Sequence, residues 1–209
     1  SYSIYLTLAP LWRWDFSETF TYIECVLSPM ILSDHDIKQR ISMGDIVIDP
    51  FEEAHVEPAS IDLRLGEDWK VLRRGGTNYL DSKNPSGGLS YTDKRGEMFI
   101  QPDQLVLGTT FEHIELPDDI AAHVIGRSTL GRLGVSIHQT AGFIDPGFAG
   151  EITLELSNHG PTTVKLYPEQ RVCQIVFTQL TSEADTPYGH EESQYQHQSG
   201  ATPSGMSFD

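Results

Sequence analysis

The chain has 209 residues, with 30 acidic against 14 basic side chains and a formal net charge of −16. That length suffices for one domain with a real core, and the charge excludes a nucleic-acid polymer as partner, because such binders carry basic patches. Only five lysines accompany nine arginines, which fits a salt-adapted host or an acidic mesophilic enzyme.

Residues 1–29 are rich in aromatics and contain no glycine. They lack a basic region followed by an apolar core, so they do not read as a signal peptide. Arg13, Asp15 and Glu18 interrupt any membrane span, which needs about 20 apolar residues. The stretch reads as an upstream extension or a misplaced start; the alternative is a partner-binding or packing segment. Cys25 and Cys173 read as thiols of a cytoplasmic protein.

Ser33 or Asp34 caps a predicted helix through Ile41, with Gly44 as its stop and Ile37 and Ile41 as its apolar face. Ile46, Val47 and Ile48 predict a strand, and Asp49-Pro50 a turn. In the next strand Ile61, Leu63 and Leu65 share one face, and Ser60, Asp62 and Arg64 the other. Residues 75–96 are polar and rich in Gly, Ser, Asn and Asp, which predicts a long surface loop. Strands follow at residues 99–100, 105–108, 111–116 and 122–125, with a turn at Pro117. After residue 155 come a loop, strands at 163–166 and 171–180, and a polar tail from 181 that reads as mobile. Many short strands with little helix predict an all-β barrel or sandwich.

The chemistry concentrates in residues 126–155. Arg127, Ser128, Thr129 and Arg132 stand between Gly126, Gly131 and Gly134. Guanidinium forks, hydroxyls and backbone N–H groups suit an anion. The spacing is not that of a P-loop, and a helix start with exposed arginines is the plain alternative. Ile152, Leu154 and Leu156 alternate with Glu151, Thr153 and Glu155, so Thr153 and Glu155 share the polar face of a strand. The turn Asp145-Pro146-Gly147-Phe148 is expected to fold the preceding segment back onto that strand. Such a hairpin brings two carboxylates towards one site, or forms a solvated acidic edge. His-x-Glu occurs three times, but no Cys-x-x-Cys exists anywhere, so a zinc deaminase is excluded and a carboxylate base is the other route.

The motifs GRSTLGR (126–132), HQTAGFIDPGF (138–148), ITLEL (152–156), QRVCQIVF (170–177) and PYG (187–189) closely resemble the dCTP deaminase family, a branch of the trimeric dUTPase-like fold. The resemblance runs over residues 30–204. It implies a mainly β, distorted barrel or jelly roll with a short N-terminal helix, assembled as a homotrimer whose sites lie between neighbouring subunits. The domains it implies are an extension (1–29), a β domain (30–181) and a C-terminal segment (182–209) that closes over the nucleotide. The block from Pro58 to Gly66 then supports the fold and the subunit contact near the site.

The resemblance implies residue roles as well. Glu155 is the base that activates water, while Ser128 and Arg132 orient it and stabilise charge at cytosine C4. Asp145 lies near the deoxyribose and holds a second water at the α-phosphate. Ala141 lines the base pocket. Arg127, Thr129, Leu130, Gly131, Thr153, Leu154, Gln174, Tyr188 and Gln198 are the further nucleotide contacts. Gln194 also belongs to that set, but relatives commonly carry lysine there. Magnesium comes with the triphosphate, no side chain binds a metal, and dTTP is the expected inhibitor. The residues after Thr140-Ala141-Gly142 are Phe143, Ile144 and Asp145, which resembles members that convert dCTP to dUMP and pyrophosphate. Members that stop at dUTP are the first alternative. A dUTPase alone and a non-catalytic nucleotide-binding protein are the others.

Overall fold

The computed structural model describes residues 30–76, 79–81, 89–140, 142–190, 193 and 195–204. The expectations for residues 1–29, Ala141 and Gln194 lie outside these residues.

A short strand β1 (Met30–Ile31) leads into helix α1 (Asp34–Met43). Ser33 caps α1 by accepting from Asp36 N at 3.3 Å. Gly44 ends it at φ 79°, its N–H donating to the carbonyls of Arg40 and Ile41, a left-handed stop that glycine adopts at no steric cost. Ile37 is fully buried and pins the helix to the core. Then come β2 (Val47–Asp49), a 3₁₀ turn (Glu53–His55), β3 (Val56–Glu57) and β4 (Ser60–Arg64).

The remaining strands are β5 (Asp68–Arg74), β6 (Leu89–Arg95), β7 (Met98–Ile100), β8 (Leu105–Glu115), β9 (Ile120–Gly126), β10 (Val135–Ser136), β11 (Phe143–Ile144), β12 (Ala149–Asn158), β13 (Val164–Leu166) and β14 (Arg171–Gln179), with a one-turn helix α2 (Ser128–Gly131) after β9. One sheet runs β11-β9-β14-β4-β3 with β1 on β14; the second runs β10-β12-β8-β5-β6 with β2 on β8. A third, small sheet pairs β13 with β7. A single apolar cluster joins the two large sheets: Ile61 and Leu63 of β4 and Ile175 and Phe177 of β14 meet Val106 and Ile114 of β8 and Leu154 and Leu156 of β12. The fold is mainly β, as expected.

Two expectations are corrected. Residues 89–95 are not loop: β6 pairs in antiparallel register with β5, from Asp68 opposite Arg95 to Arg74 opposite Leu89. Its polar sequence suits an edge strand with little core to cover, which hides the usual alternation. The two strands predicted at 105–116 are one: Thr109 pairs with Thr153 of β12 and Thr110 bridges Leu65, both of them buried. Thr110 meets the cost of burial by donating to Glu112 O at 2.8 Å and accepting from Ile152 N at 2.9 Å. Both faces of β4 are buried, the polar one included.

Arg64 of β4 reaches across to the other sheet. Its Nε donates to Glu112 Oε1 at 2.7 Å and its backbone N–H to Glu112 Oε2 at 2.9 Å. The two side chains are 8% and 2% exposed, and the guanidinium stacks 4.6 Å from the Phe111 ring centroid. Cys173 is likewise buried, and burial pushes its thiol well above the ordinary range.

Replacing Glu112 with Ala leaves a buried guanidinium without its main partner. We expect a loss of about 3–5 kcal/mol in urea unfolding, whereas Arg64→Met combined with Glu112→Leu loses less. A single Glu112→Ala change that costs under about 1 kcal/mol contradicts the inter-sheet role.

Candidate functional site

The first group of site residues gathers around Asp62. On β4 it stands opposite Gln174 of β14, which in turn stands opposite Ile125 of β9. The Asp62 side chain is 0% exposed. Its Oδ2 accepts from Arg171 Nη1 at 3.0 Å and lies 3.3 Å from Arg127 Nη2. Its Oδ1 is buried and has no partner among the described residues. Arg127 precedes α2, and its backbone N–H reaches Val172 O at 3.4 Å. So β4 and β14 fix where the 126–132 segment leaves the sheet.

Within that segment Leu130 is in the core, while Ser128, Thr129, Gly131 and Arg132 are exposed. Among the described residues the side chains of Ser128 and Arg132 make no hydrogen bond or ion pair. Their donors face outward and are available to a ligand.

The second group lies on β12. Ile152, Leu154 and Leu156 are buried and Glu151, Thr153 and Glu155 half-buried, the two-faced strand that the alternation predicts. A bulge between Glu151 and Thr153 shifts the pairing with β8, leaving Glu155 opposite Leu107. Glu155 Oε2 accepts from the backbone N–H of Gln139 at 2.9 Å. The Gln139 side chain donates to Ser157 Oγ at 2.7 Å. Ser157 also meets Ser136 Oγ at 2.7 Å and His159 Nε2 at 2.9 Å. The carboxylate of Glu155 is thus held on one oxygen by a main-chain donor whose loop is itself anchored. Its Oε1 accepts no hydrogen bond among the described residues and points to no internal partner.

The C-terminal segment is seated beside this strand. Tyr188 N donates to Pro146 O at 2.7 Å, and the Tyr188 ring packs 6.0 Å from that of Phe148. Gly147 (φ 82°) is required there, since a Cβ would lie 2.7 Å from Tyr188 O. His197 N donates to Ala149 O at 2.7 Å and Glu151 N to Gln198 O at 3.0 Å. Gln198 Nε2 donates to Glu151 O at 2.7 Å, and the Thr153 hydroxyl reaches Gln198 Oε1 at 3.4 Å. The Glu151 carboxylate accepts from Gly200 N at 2.7 Å, Ser199 Oγ at 3.3 Å and Thr109 Oγ1 at 3.3 Å.

The predicted residues therefore fall into two clusters: Arg127, Gln174 and the 128–132 segment around Asp62, and Thr153, Glu155, Tyr188 and Gln198 along β12. Among the described residues no hydrogen bond or ion pair links Ser128 or Arg132 to Glu155 or Asp145. The expected hairpin is also corrected. The strand before Asp145, β11, pairs with β9 in the first sheet, not with β12 in the second. Asp145 is exposed in a turn where Phe148 N reaches its carbonyl at 3.3 Å. The turn carries the chain between sheets, because Ala149 takes Glu115 of β8 as its partner instead. Sequence reasoning missed Asp62, Arg171, Gln139, Ser157, His159 and Glu151. Only Asp62 carried a signal, as a charge inside an apolar strand.

With the geometry in place, the comparisons are specific. The description "dCTP deaminase-like" matches residues 31–180, and the chain belongs to that family. It is 51% identical over 166 residues to the dUMP-forming dCTP deaminase of Methanothermobacter thermautotrophicus, covering 77% of this chain and 84% of that one. It is 48% identical over 179 residues to the dUMP-forming dCTP deaminase of Halobacterium salinarum, covering 82% and 92%. The crystal structure of 2′-deoxycytidine 5′-triphosphate deaminase from Agrobacterium tumefaciens superposes with a TM-score of 0.56 at 23% identity, over 72% of this chain and 48% of that longer one. That likeness bears on the fold alone.

Glu151 tests how the tail is held. Glu151→Ala removes the acceptor for Ser199 and Gly200, and limited proteolysis is expected to cut within residues 195–204 on the order of tenfold faster, with the melting temperature little changed. Equal cleavage rates in both proteins count against this docking.

Proposed function

We propose that this chain hydrolyses dCTP at cytosine C4, releasing ammonia, and cleaves the resulting triphosphate to dUMP and pyrophosphate. The observation that carries the reading is the Glu155 carboxylate, fixed on Oε2 by Gln139 N–H and open on Oε1. The two relatives named as dUMP-forming dCTP deaminases, at 51% and 48% identity, support the product.

In the first step a water hydrogen-bonded to Glu155 Oε1 gives up a proton as its oxygen adds to C4. That proton passes to ring nitrogen N3 and stays there; as the C4 oxygen becomes a carbonyl, its remaining hydroxyl proton goes by way of Glu155 to the amino group, which leaves as ammonia. The hydroxyl of Ser128 and the guanidinium of Arg132 orient the water and offset charge that develops at C4. In the second step Asp145 positions a water against the α-phosphorus, and pyrophosphate leaves. One water is consumed in each step.

Ser128 and Arg132 have no partner on β12 within the chain, which supports a site that joins them to Glu155 of a neighbouring subunit in a homotrimer. Magnesium bound to the triphosphate supplies charge neutralisation. In this reading the ion arrives with the triphosphate and needs no side-chain ligand. The reading also makes dTTP a competitor for the triphosphate site and places the enzyme with the cytoplasmic nucleotide pool. Among the described residues no helix is long and apolar enough to cross a membrane.

The test is a product assay with dCTP and magnesium. We expect ammonia, dUMP and pyrophosphate with no released dUTP, and a fall in ammonia release of about 10²–10⁴-fold in Glu155→Gln with the fold retained. Accumulating dUTP removes the coupled second step. Absence of ammonia, with supplied dUTP hydrolysed, removes the deaminase.

A further inference from the structure

Asp62 reverses the charge ratio found at other arginines of this chain. Arg40 faces Asp45 and Asp119, Arg64 faces Glu52 and Glu112, and Arg95 faces Glu67 and Asp68. Each of those guanidinium groups has an excess of carboxylate around it. At Asp62 one carboxylate oxygen serves two guanidinium groups, Arg127 and Arg171. The ensemble has one positive charge left over.

Exposure points the same way. The carboxylate is 0% exposed, whereas the Arg127 and Arg171 side chains are 26% and 41% exposed. A guanidinium has five N–H donors, and the recorded contacts with Asp62 use one nitrogen of each. Both side chains stay partly exposed on a shared buried anchor, with donors that Asp62 does not use. The backbone couples them too, through Arg127 N–H and the carbonyl of Val172, the residue next to Arg171.

We infer that Asp62, Arg127 and Arg171 form one phosphate-binding unit, in which Arg171 is a further phosphate contact and Asp62 a positioning residue. This deepens the nucleotide reading above and rests on it. Asp62 removes rotamer freedom from two flexible side chains before the ligand arrives, so less entropy is lost on binding. It also cancels half of their charge, which lets two guanidinium groups sit side by side without a phosphate. An incoming triphosphate meets the surplus charge and a preset pair of forks.

The experiment is calorimetric titration of dCTP and of inorganic tripolyphosphate into the full chain and the variants Arg171→Ala and Asp62→Asn. Arg171→Ala is expected to weaken both ligands on the order of tenfold or more. The KM for dCTP rises accordingly, and kcat for ammonia release changes by less than about threefold. Asp62→Asn is expected to weaken both ligands as well, with circular dichroism reporting whether the fold holds. Arg171 is at the surface, so its variant decides the matter even if Asp62→Asn unfolds. Affinity for dCTP within twofold of the unmodified chain in Arg171→Ala overturns the proposal. So does a loss for dCTP that leaves tripolyphosphate unaffected. An unmodified chain that binds dCTP but releases no ammonia overturns the deaminase reading and leaves this comparison valid; one that binds neither ligand overturns both.

Discussion

Strand β4 places two ionised side chains, Asp62 and Arg64, inside the protein two residues apart, and much of the architecture answers to that constraint. Removing a charge from water costs several kcal/mol even after relaxation unless a well-placed partner and further hydrogen bonds offset it. Arg64 is paired with the opposite sheet, where the two oxygens of Glu112 accept from its Nε and its backbone N–H. That pair fixes how β4 lies over β8 with a direction that apolar contact alone lacks. Asp62 is paired on one oxygen from its own sheet, by arginines just after β9 and at the start of β14. One residue thus sets the relation between sheets, and the other sets where the 126–132 segment leaves its sheet.

Strand β12 solves the complementary problem. Its apolar face is committed to the core, so its polar face is held at a fixed height above it. A rigid strand is a better mount than a loop for the base that Glu155 is proposed to be, because the carboxylate moves only as far as the sheet does. The loop that contacts it is tethered in turn: Gln139 spans Glu155 and Ser157, which are two residues apart on the same face. The tail attaches to the same face further along, at Glu151 and Thr153. Seating of the tail and placement of Glu155 are therefore properties of one strand.

The local patterns were legible in the sequence. Period-two alternation gave β4, β12 and β14, and Ser33 and Gly44 bounded α1. What stayed hidden was partnership across long separations. Alternation at Ser60, Asp62 and Arg64 says that they share a face, but not that Glu112, Arg127 and Arg171 cover it. The Asp145 turn has the composition of a hairpin, yet β11 and β12 belong to different sheets. A turn's residues specify its own dihedral angles and not the sheet its flanks join. Strand β6 was missed for the opposite reason: an edge strand with little core to cover carries no apolar period.

The net charge of −16 is at odds with the polyanionic ligand proposed above only if charge is treated as a sum. At physiological ionic strength the Debye length is about 8 Å, so carboxylates further away act weakly on an incoming phosphate. What acts at contact is the local ratio, and the ratio at Asp62 is two guanidinium groups to one carboxylate. Screening falls as salt is removed, and the distant carboxylates then oppose an anion that the arginines attract. The acidic surface and the proposed cationic site are compatible because they act over different distances.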